Sequence, residues 1–263
     1  MKNTENAGKK SPLKEAPLRL PGQSIEEQIE KSWDKAEPYG LLVVFFVMLA
    51  AIEWYRKLAP ASPIPWSYLF TLCALIAILV AIPKFQKYRV DLKSLRLGRD
   101  GERIVAEHLD NLKEEGYRVL HDLVAANFNV DHVLVGPKGV FAIETKTWSK
   151  TPKQKDRIQF EGSSIYMNGR KIVPNPVDQA KANAGWLREI LRRSTGKNFK
   201  VIPVVVFPGW FVELKSKATD IFVLNPKQLD PVLTALPRVL PGDDVSLISF
   251  HLEQFVRSKQ ADV

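Results

Sequence analysis

The sequence predicts an α/β fold, a mixed-sheet sandwich preceded by a two-helix transmembrane hairpin, and three observations lead there. Two uncharged apolar runs lie close together near the N-terminus. Helix-period and strand-period stretches alternate after residue 97, and one strand pair carries charges inside otherwise apolar text. At 263 residues, 45% hydrophobic and 25% charged, the chain is long enough for one sizeable core plus an appendage.

Residues 1–37 are polar, lysine-rich and interrupted by Pro12, Pro17 and Pro21, which reads as a flexible tail with at most a short amphipathic helix around Ser24 to Lys35. Residues 38–83 form the predicted hairpin. Its first run, Tyr39 to Ile52, is followed by Trp54, Tyr55, Arg56 and Lys57, an aromatic and basic rim. The second, Trp66 to Ile82, ends at Pro83; as a helix it reaches roughly 25 Å, slightly short of a bilayer core of about 30 Å, so interfacial residues must help. A charged tail ahead of the first run argues for an anchor and against a cleaved signal. Lys31 and Lys35 flank one side, Lys84, Lys87, Arg89, Lys93, Arg96 and Arg99 the other, and the connecting loop has only Arg56 and Lys57. By the positive-inside rule the chain is a multi-pass protein of the cell (inner) membrane, with both termini and the following domain cytoplasmic.

After a basic juxtamembrane linker, residues 84–97, the pattern changes. "GRDGERIVAEHLDNLKEEG" opens with Gly98 and Gly101 and predicts a helix of about fifteen residues closed by Gly116. "YRVLHDL", Phe128 to Val135 and Val140 to Thr147 read as strands. "RIQFEGSSIYMNGRKI" suggests two short strands with tight turns at Gly162 and Asn168-Gly169. A helix from Pro176 to Gly196, a doubly buried strand in "KVIPVVVFPG", a strand near Ile221 to Leu224, a short helix after Pro226 and a last amphipathic helix from about Asp244 to Lys259 complete the reading. Residues 98–210 hold the main domain, and 211–263 an α/β extension packed on it.

The charged strand pair carries the chemistry. Pro137 cannot adopt the positive φ of the tightest primed turns, so Gly136-Pro137-Lys138-Gly139 is expected to form a four-residue loop around a type I turn. Val135 then faces Val140, and by the same register Asp131 faces Glu144, with Cβ atoms roughly 5 Å apart. Strand alternation puts Lys146 on the face of Glu144, and His132, Ile143 and Thr145 on the other. Two opposed carboxylates destabilise a sheet unless a cation relieves them. Carboxylate oxygens are hard ligands suited to Mg²⁺ or Mn²⁺, and Lys146 can orient or deprotonate a water or stabilise charge building on phosphorus.

Asp131, a Gly-containing turn and Glu144-Thr145-Lys146 resemble the D…(D/E)-x-K signature of the restriction-endonuclease-like nucleases. "GRDGE", "NVDHVLVGPKGVFAIETKTW" and "NPVDQA" resemble one branch of them, the nuclease-related domain family, NERD. The resemblance covers roughly residues 98 to 210 and implies a restriction-endonuclease-like sandwich. It implies that Asp131 and Glu144 ligate a metal, with the Thr145 carbonyl as a further ligand, and that Lys146 is the catalytic lysine. Glu102 matches a helix glutamate that completes such sites; the competing account is an acidic residue favoured by a helix N-terminus. Gln179 matches a glutamine beside the metal cluster, against the alternative of a solvated helix surface. No Pro-Asp pair precedes the hairpin; Asn129-Val130-Asp131 stands there.

Beyond residue 83 there are 29 Lys plus Arg against 21 Asp plus Glu, a surface that attracts phosphates. Lys150, Lys153, Lys155, Arg157 and Arg188 are the candidate nucleic-acid contacts, with solubility charge as the plain alternative; the group from Lys84 to Arg99 suits anionic lipid. Trp148 has two readings, a base-stacking platform or core. Several classes are excluded. Cys73 is the single cysteine, the four histidines have no zinc-site spacing, no G-x-x-x-x-G-K-[ST] loop occurs near Gly98 or Ser194, and no G-x-S-x-G occurs. The expectation is a membrane-anchored nuclease that uses Mg²⁺ or Mn²⁺ to hydrolyse phosphodiesters in DNA, with RNA as the alternative substrate. The rival is an inactive membrane-tethered nucleic-acid-binding or scaffold protein, and a third possibility is recruitment of a DNA-processing protein through the extension. Oligomeric state is not legible.

Overall fold

The computed structural model describes residues 17–57, 66–125, 127–150, 157–216 and 220–261. They divide into two compact units, residues 24–99 and residues 100–263 together with the stretch up to Gln23. The first unit is built on two helices, α1 (Gln23–Lys57) and the part of α2 (Trp66–Asn111) that falls within it. Both are long and apolar enough to cross a membrane by length and composition. Their inner and outer faces invert the usual order of a water-soluble protein: Ala36, Ala50, Ala74, Ala77, Ala81 and Ser67 are buried, whereas Leu41, Val44 and Leu72 are exposed and Leu79 is 69% exposed. Small residues allow close helix approach. Around them, the Trp54 indole donates to Thr71 Oγ1 at 2.9 Å, Trp54 meets Tyr68 edge-on, Trp33 meets Tyr88, and Arg99 pairs with Glu26 at 2.9 Å.

Two helix boundaries differ from the sequence reading. The amphipathic stretch after Ser24 is the first part of α1 and runs through Pro38 into the apolar segment. No helix opens at Gly98; α2 continues from Trp66 past Pro83 and through the basic residues 84–97. Lys, Arg and Leu are strong helix formers, and they carry the helix across two glycines that would otherwise weaken it. Gly101 has a packing reason: a Cβ there would collide with the Thr147 side chain.

In the second unit, five strands form one mixed sheet in the order β1 (Arg118–Val124), β2 (Asn129–Gly136), β3 (Gly139–Thr145), β7 (Val201–Val206) and β9 (Phe222–Leu224). The first three are antiparallel, and β3, β7 and β9 are parallel. β2 and β3 are apolar almost throughout because both faces of the sheet are covered. On one side Val133, Val135, Val140 and Ala142 pack against Leu187 and Leu191 of α3 (Pro176–Thr195) and Ile248 and Leu252 of α5 (Gly242–Ala261). On the other, Leu134, Phe141 and Ile143 pack against Val105 and Leu109 of α2 and Leu229 and Leu233 of α4 (Leu229–Ala235).

A second mixed sheet has the order β6 (Arg170–Lys171), β5 (Ser164–Met167), β4 (Arg157–Glu161) and β8 (Phe211–Leu214). Ile158, Phe160, Ile165 and Val212 bury its inner face against Val177, Ala180 and Phe207. Turns at Gly162 and Asn168-Gly169 fall where expected, all three residues having positive φ, and the second turn adds a two-residue strand that composition did not reveal. β8 was also missed: four residues that pair in parallel with distant β4 carry little local signal. α3 begins at Pro176 behind an Asn175 cap and ends at left-handed Gly196, within the expected limits. The β2–β3 connection is tighter than expected. Gly136 pairs with Gly139, leaving only Pro137 and Lys138 between the strands, and Gly139, at φ 138°, absorbs the strain that Pro137 cannot. Replacing Gly101 with Ala should destabilise the domain by about 1–3 kcal/mol through overpacking against Thr147, read as a lowered midpoint in thermal unfolding.

Candidate active site

The β2–β3 register matches the sequence arithmetic from Gly136↔Gly139 through Val135↔Val140 to His132↔Ile143. Continued one step, it sets Asp131 opposite Glu144 where the ladder opens. Both side chains are buried. Each is held by specific donors: the Thr145 N–H donates to Asp131 Oδ2 at 2.7 Å, the Lys146 ammonium lies 2.7 Å from Glu144 Oε1, and the Asn183 amide donates to Glu144 Oε2 at 2.8 Å. The expected alternation is therefore realised, with Glu144 and Lys146 on the α3 side of the sheet, where Val140 and Ala142 also point.

Glu102, on α2, joins the group electrostatically. It is buried, one oxygen accepts the Gly22 backbone N–H, and Oε2 has no hydrogen-bond partner among the described residues. Burial, then Asp122 and Glu144, push its carboxyl up to about 8. Burial, then Glu144 and Glu102, hold Asp131 well above the usual carboxylate range, and burial raises Glu144 against the opposing pull of Lys146 and Asn183. Three carboxylates thus resist ionisation together.

Asp122 is a further acid at this end of the sheet. It has a left-handed φ of 52° and is fully buried. Arg19 Nε lies 2.7 Å from its Oδ2, and the Asn129 amide donates to its Oδ1 at 2.9 Å. Residues 17–22, expected to belong to a flexible tail, are thereby packed on the domain, with Leu18 against the core formed by α3, α5 and the sheet; residues 1–16 lie outside the described residues. Behind Asp131, the His121 and His132 rings meet Nδ1 to Nδ1 at 2.9 Å. Burial lowers both, His132 well below its ordinary value, and the neighbouring His121 adds to the shift of His132.

Other sequence candidates fall as follows. Thr145 is buried and its Oγ1 has no partner among the described residues. Gln179 is exposed on α3, one turn before Asn183, and it is Asn183 whose side chain bonds Glu144. Asn183 was missed, although a polar residue between Ala180 and Ala184 on a helix face is a signal. Arg19 and Asp122 were missed because their meeting spans 103 positions of sequence. Lys150 lies over the Trp210 ring at 5.3 Å, Arg157 pairs with Glu213 at 3.0 Å and lies over Phe211, and Arg188 is exposed on α3. Lys153 and Lys155 lie outside the described residues. Trp148 packs in the core, its ring 5.2 Å from that of Phe207 and its carbonyl accepting from Trp210.

The second unit is thus a mixed α/β domain with acids and a lysine at one strand end. Residues 97–208 match the model of the nuclease-related domain family, NERD. No curated protein and no solved structure matches the chain.

The raised carboxylates fix the sign of a pH effect. A folded pKa above the unfolded one contributes stability that is complete below the unfolded value and lost as pH rises through the folded one. For Glu102 that loss extends to about 8. His132, depressed, works in the opposite direction and loses its contribution as pH falls. Protein in EDTA is therefore expected to melt at lower temperature at about pH 8.5 than at about pH 6.5. Glu102→Gln should flatten that slope in a calorimetric series.

Proposed function

We propose that this chain is a membrane-anchored, divalent-metal-dependent nuclease that hydrolyses phosphodiester bonds in DNA on the cytoplasmic side. The observation that carries the reading is the convergence of Asp131, Glu144 and Lys146 at one strand end inside a nuclease-related domain. The restriction-endonuclease-like fold is part of the same proposal. It is supported by the mixed sheet with helices on both faces.

Among the described residues no group of three or more His, Cys, Asp or Glu side chains is gathered so as to hold a metal ion. Mg²⁺ does not require such a cage, since it keeps several waters and is bound through one or two carboxylates plus substrate phosphate. The residues present fit that mode. Asp131 and Glu144 supply hard oxygens, and Glu102 keeps a buried oxygen without a donor among the described residues. Asp131, Glu144 and the Thr145 carbonyl would hold Mg²⁺ or Mn²⁺ directly, and Glu102 would reach the ion through one of the waters it keeps. When bound, such an ion makes water more acidic and offsets charge on the phosphoryl oxygens. Lys146 provides a cation within the site, anchored on Glu144, to orient the attacking water or stabilise negative charge developing on phosphorus. Asn183 positions Glu144 from the opposite oxygen. Exposed Arg188, together with Lys150 and Arg157, offers contacts for the phosphate backbone.

Membrane anchoring is supported by the two long helices and their exposed large apolar side chains around an alanine-lined interface. Cytoplasmic orientation follows from the basic flanks. The rival, a tethered binding platform without turnover, draws on one feature: the donors already satisfying Asp131 and Glu144 could serve a purely structural polar cluster.

One experiment separates the two. Purified full-length protein in detergent is given plasmid and oligonucleotide substrates with Mg²⁺, Mn²⁺ or EDTA. Metal-dependent cleavage is expected, reduced at least about 100-fold in Glu144→Ala and Lys146→Ala. Wild type that leaves DNA intact, or variants as active as wild type, would leave only the platform. Because cation and protons compete for the same carboxylates, added Mn²⁺ should raise the melting temperature more at about pH 8.5 than at about pH 6.5.

A further inference from the structure

We infer that the residues leading into α1, Leu18 to Gly22, are a working part of the carboxylate site, with Arg19 and the Gly22 peptide as positioning groups that hold Glu102 ready for the cation. The inference rests on the metal-dependent reading above. It adds to it a segment some 75 residues upstream of the family match, which begins at residue 97.

Four observations converge on this segment. Gly22 is buried and its N–H donates to Glu102, the carboxylate whose Oε2 has no partner among the described residues. A peptide N–H on one oxygen fixes the carboxylate plane and leaves the other oxygen available, which is how hydrogen-bonded partners orient ligands in metal sites. Arg19 bonds Asp122 at 2.7 Å with side chains 9% and 0% exposed, so the segment is fastened by an ion pair that water scarcely reaches. Leu18 packs on the core beside it. A turn completes the fastening: Gly22 has φ 74°, Gln23 N–H donates to the Leu20 carbonyl at 3.1 Å, and the Gln23 side chain accepts the Leu20 N–H at 3.0 Å.

The same pair removes a competitor. Asp122 is the largest electrostatic influence on Glu102 after burial. With Arg19 on Oδ2 and Asn129 on Oδ1, both Asp122 oxygens are occupied, which leaves Glu102, its Oε2 without a partner among the described residues, as the acid coupled to Asp131 and Glu144. A readily released cover is a poorer account of the segment, because separating a buried ion pair strands a charge in the interior.

The test uses full-length protein in detergent micelles and reads Mn²⁺ binding by electron paramagnetic resonance, alongside cleavage. Arg19→Met is expected to weaken Mn²⁺ binding by about 10–100-fold, the range typical of residues that orient a ligand from behind. Arg19→Lys, which keeps a cation beside Asp122, should recover most of it. Arg19→Met with Asp122→Asn removes both charges, so no buried acid is left unpaired, and the loss should persist in it even if the single variant fails to fold. Glu144→Ala is the reference. If Glu144→Ala loses Mn²⁺ while both Arg19→Met proteins bind normally, the positioning role is refuted and the metal reading stands. If Arg19→Lys is as impaired as Arg19→Met, a specific charge contact is refuted. If Glu144→Ala binds Mn²⁺ like wild type, the metal reading fails and this inference with it.

Discussion

Mutual repulsion among buried carboxylates is the constraint around which this domain is organised. Asp131 and Glu144 occupy positions where a doubly covered sheet calls for apolar residues, and buried Glu102 on α2 is electrostatically coupled to them. A buried acid without compensation is strongly unfavourable. Every neighbouring element answers with a donor. β3 supplies the Thr145 N–H, the residue after it supplies the Lys146 ammonium, α3 supplies the Asn183 amide, and the lead into α1 supplies the Gly22 N–H. Compensation is nevertheless incomplete, since all three acids remain less acidic than in water.

The apolar architecture makes the arrangement rigid. Val133, Val135, Val140 and Ala142 on one face and Leu134, Phe141 and Ile143 on the other lock β2 and β3 between helix layers, so the register cannot slip without turning hydrophobic groups outward. That lock carries Asp131 to Glu144. Gly101 lets α2 approach Thr147 closely, and this close approach brings Glu102, the next residue, to the same strand end. Packing thus sets the electrostatics, and the polar contacts add orientation.

Much of the fold was legible because its signals are local. Asn175, Pro176 and Gly196 delimit α3 by capping chemistry, and Asn168-Gly169 marks a primed turn. The opposition of Asp131 and Glu144 followed from counting residues outward from Val135 and Val140, which works because a strand has period two. Signals that depend on distant partners were not legible. β8 is a strand because β4 lies beside it, and Gly98 fails to open a helix because the preceding basic residues already form one. Trp148 offered two readings, and only its contact with Phe207 decides for core.

By itself the sequence determined the mixed α/β class, the strand pair, and the opposition of Asp131 and Glu144 with Lys146 beside Glu144, since each depends on periodicity and spacing along a short stretch of chain. Only the tertiary structure decided that Asn183 holds Glu144, that Glu102 Oε2 has no partner among the described residues, and that Arg19 reaches Asp122 across 103 residues. These contacts form between elements far apart in the chain, and their energy comes from burying charge in one shared interior. No local pattern records which distant side chain will be there to meet it.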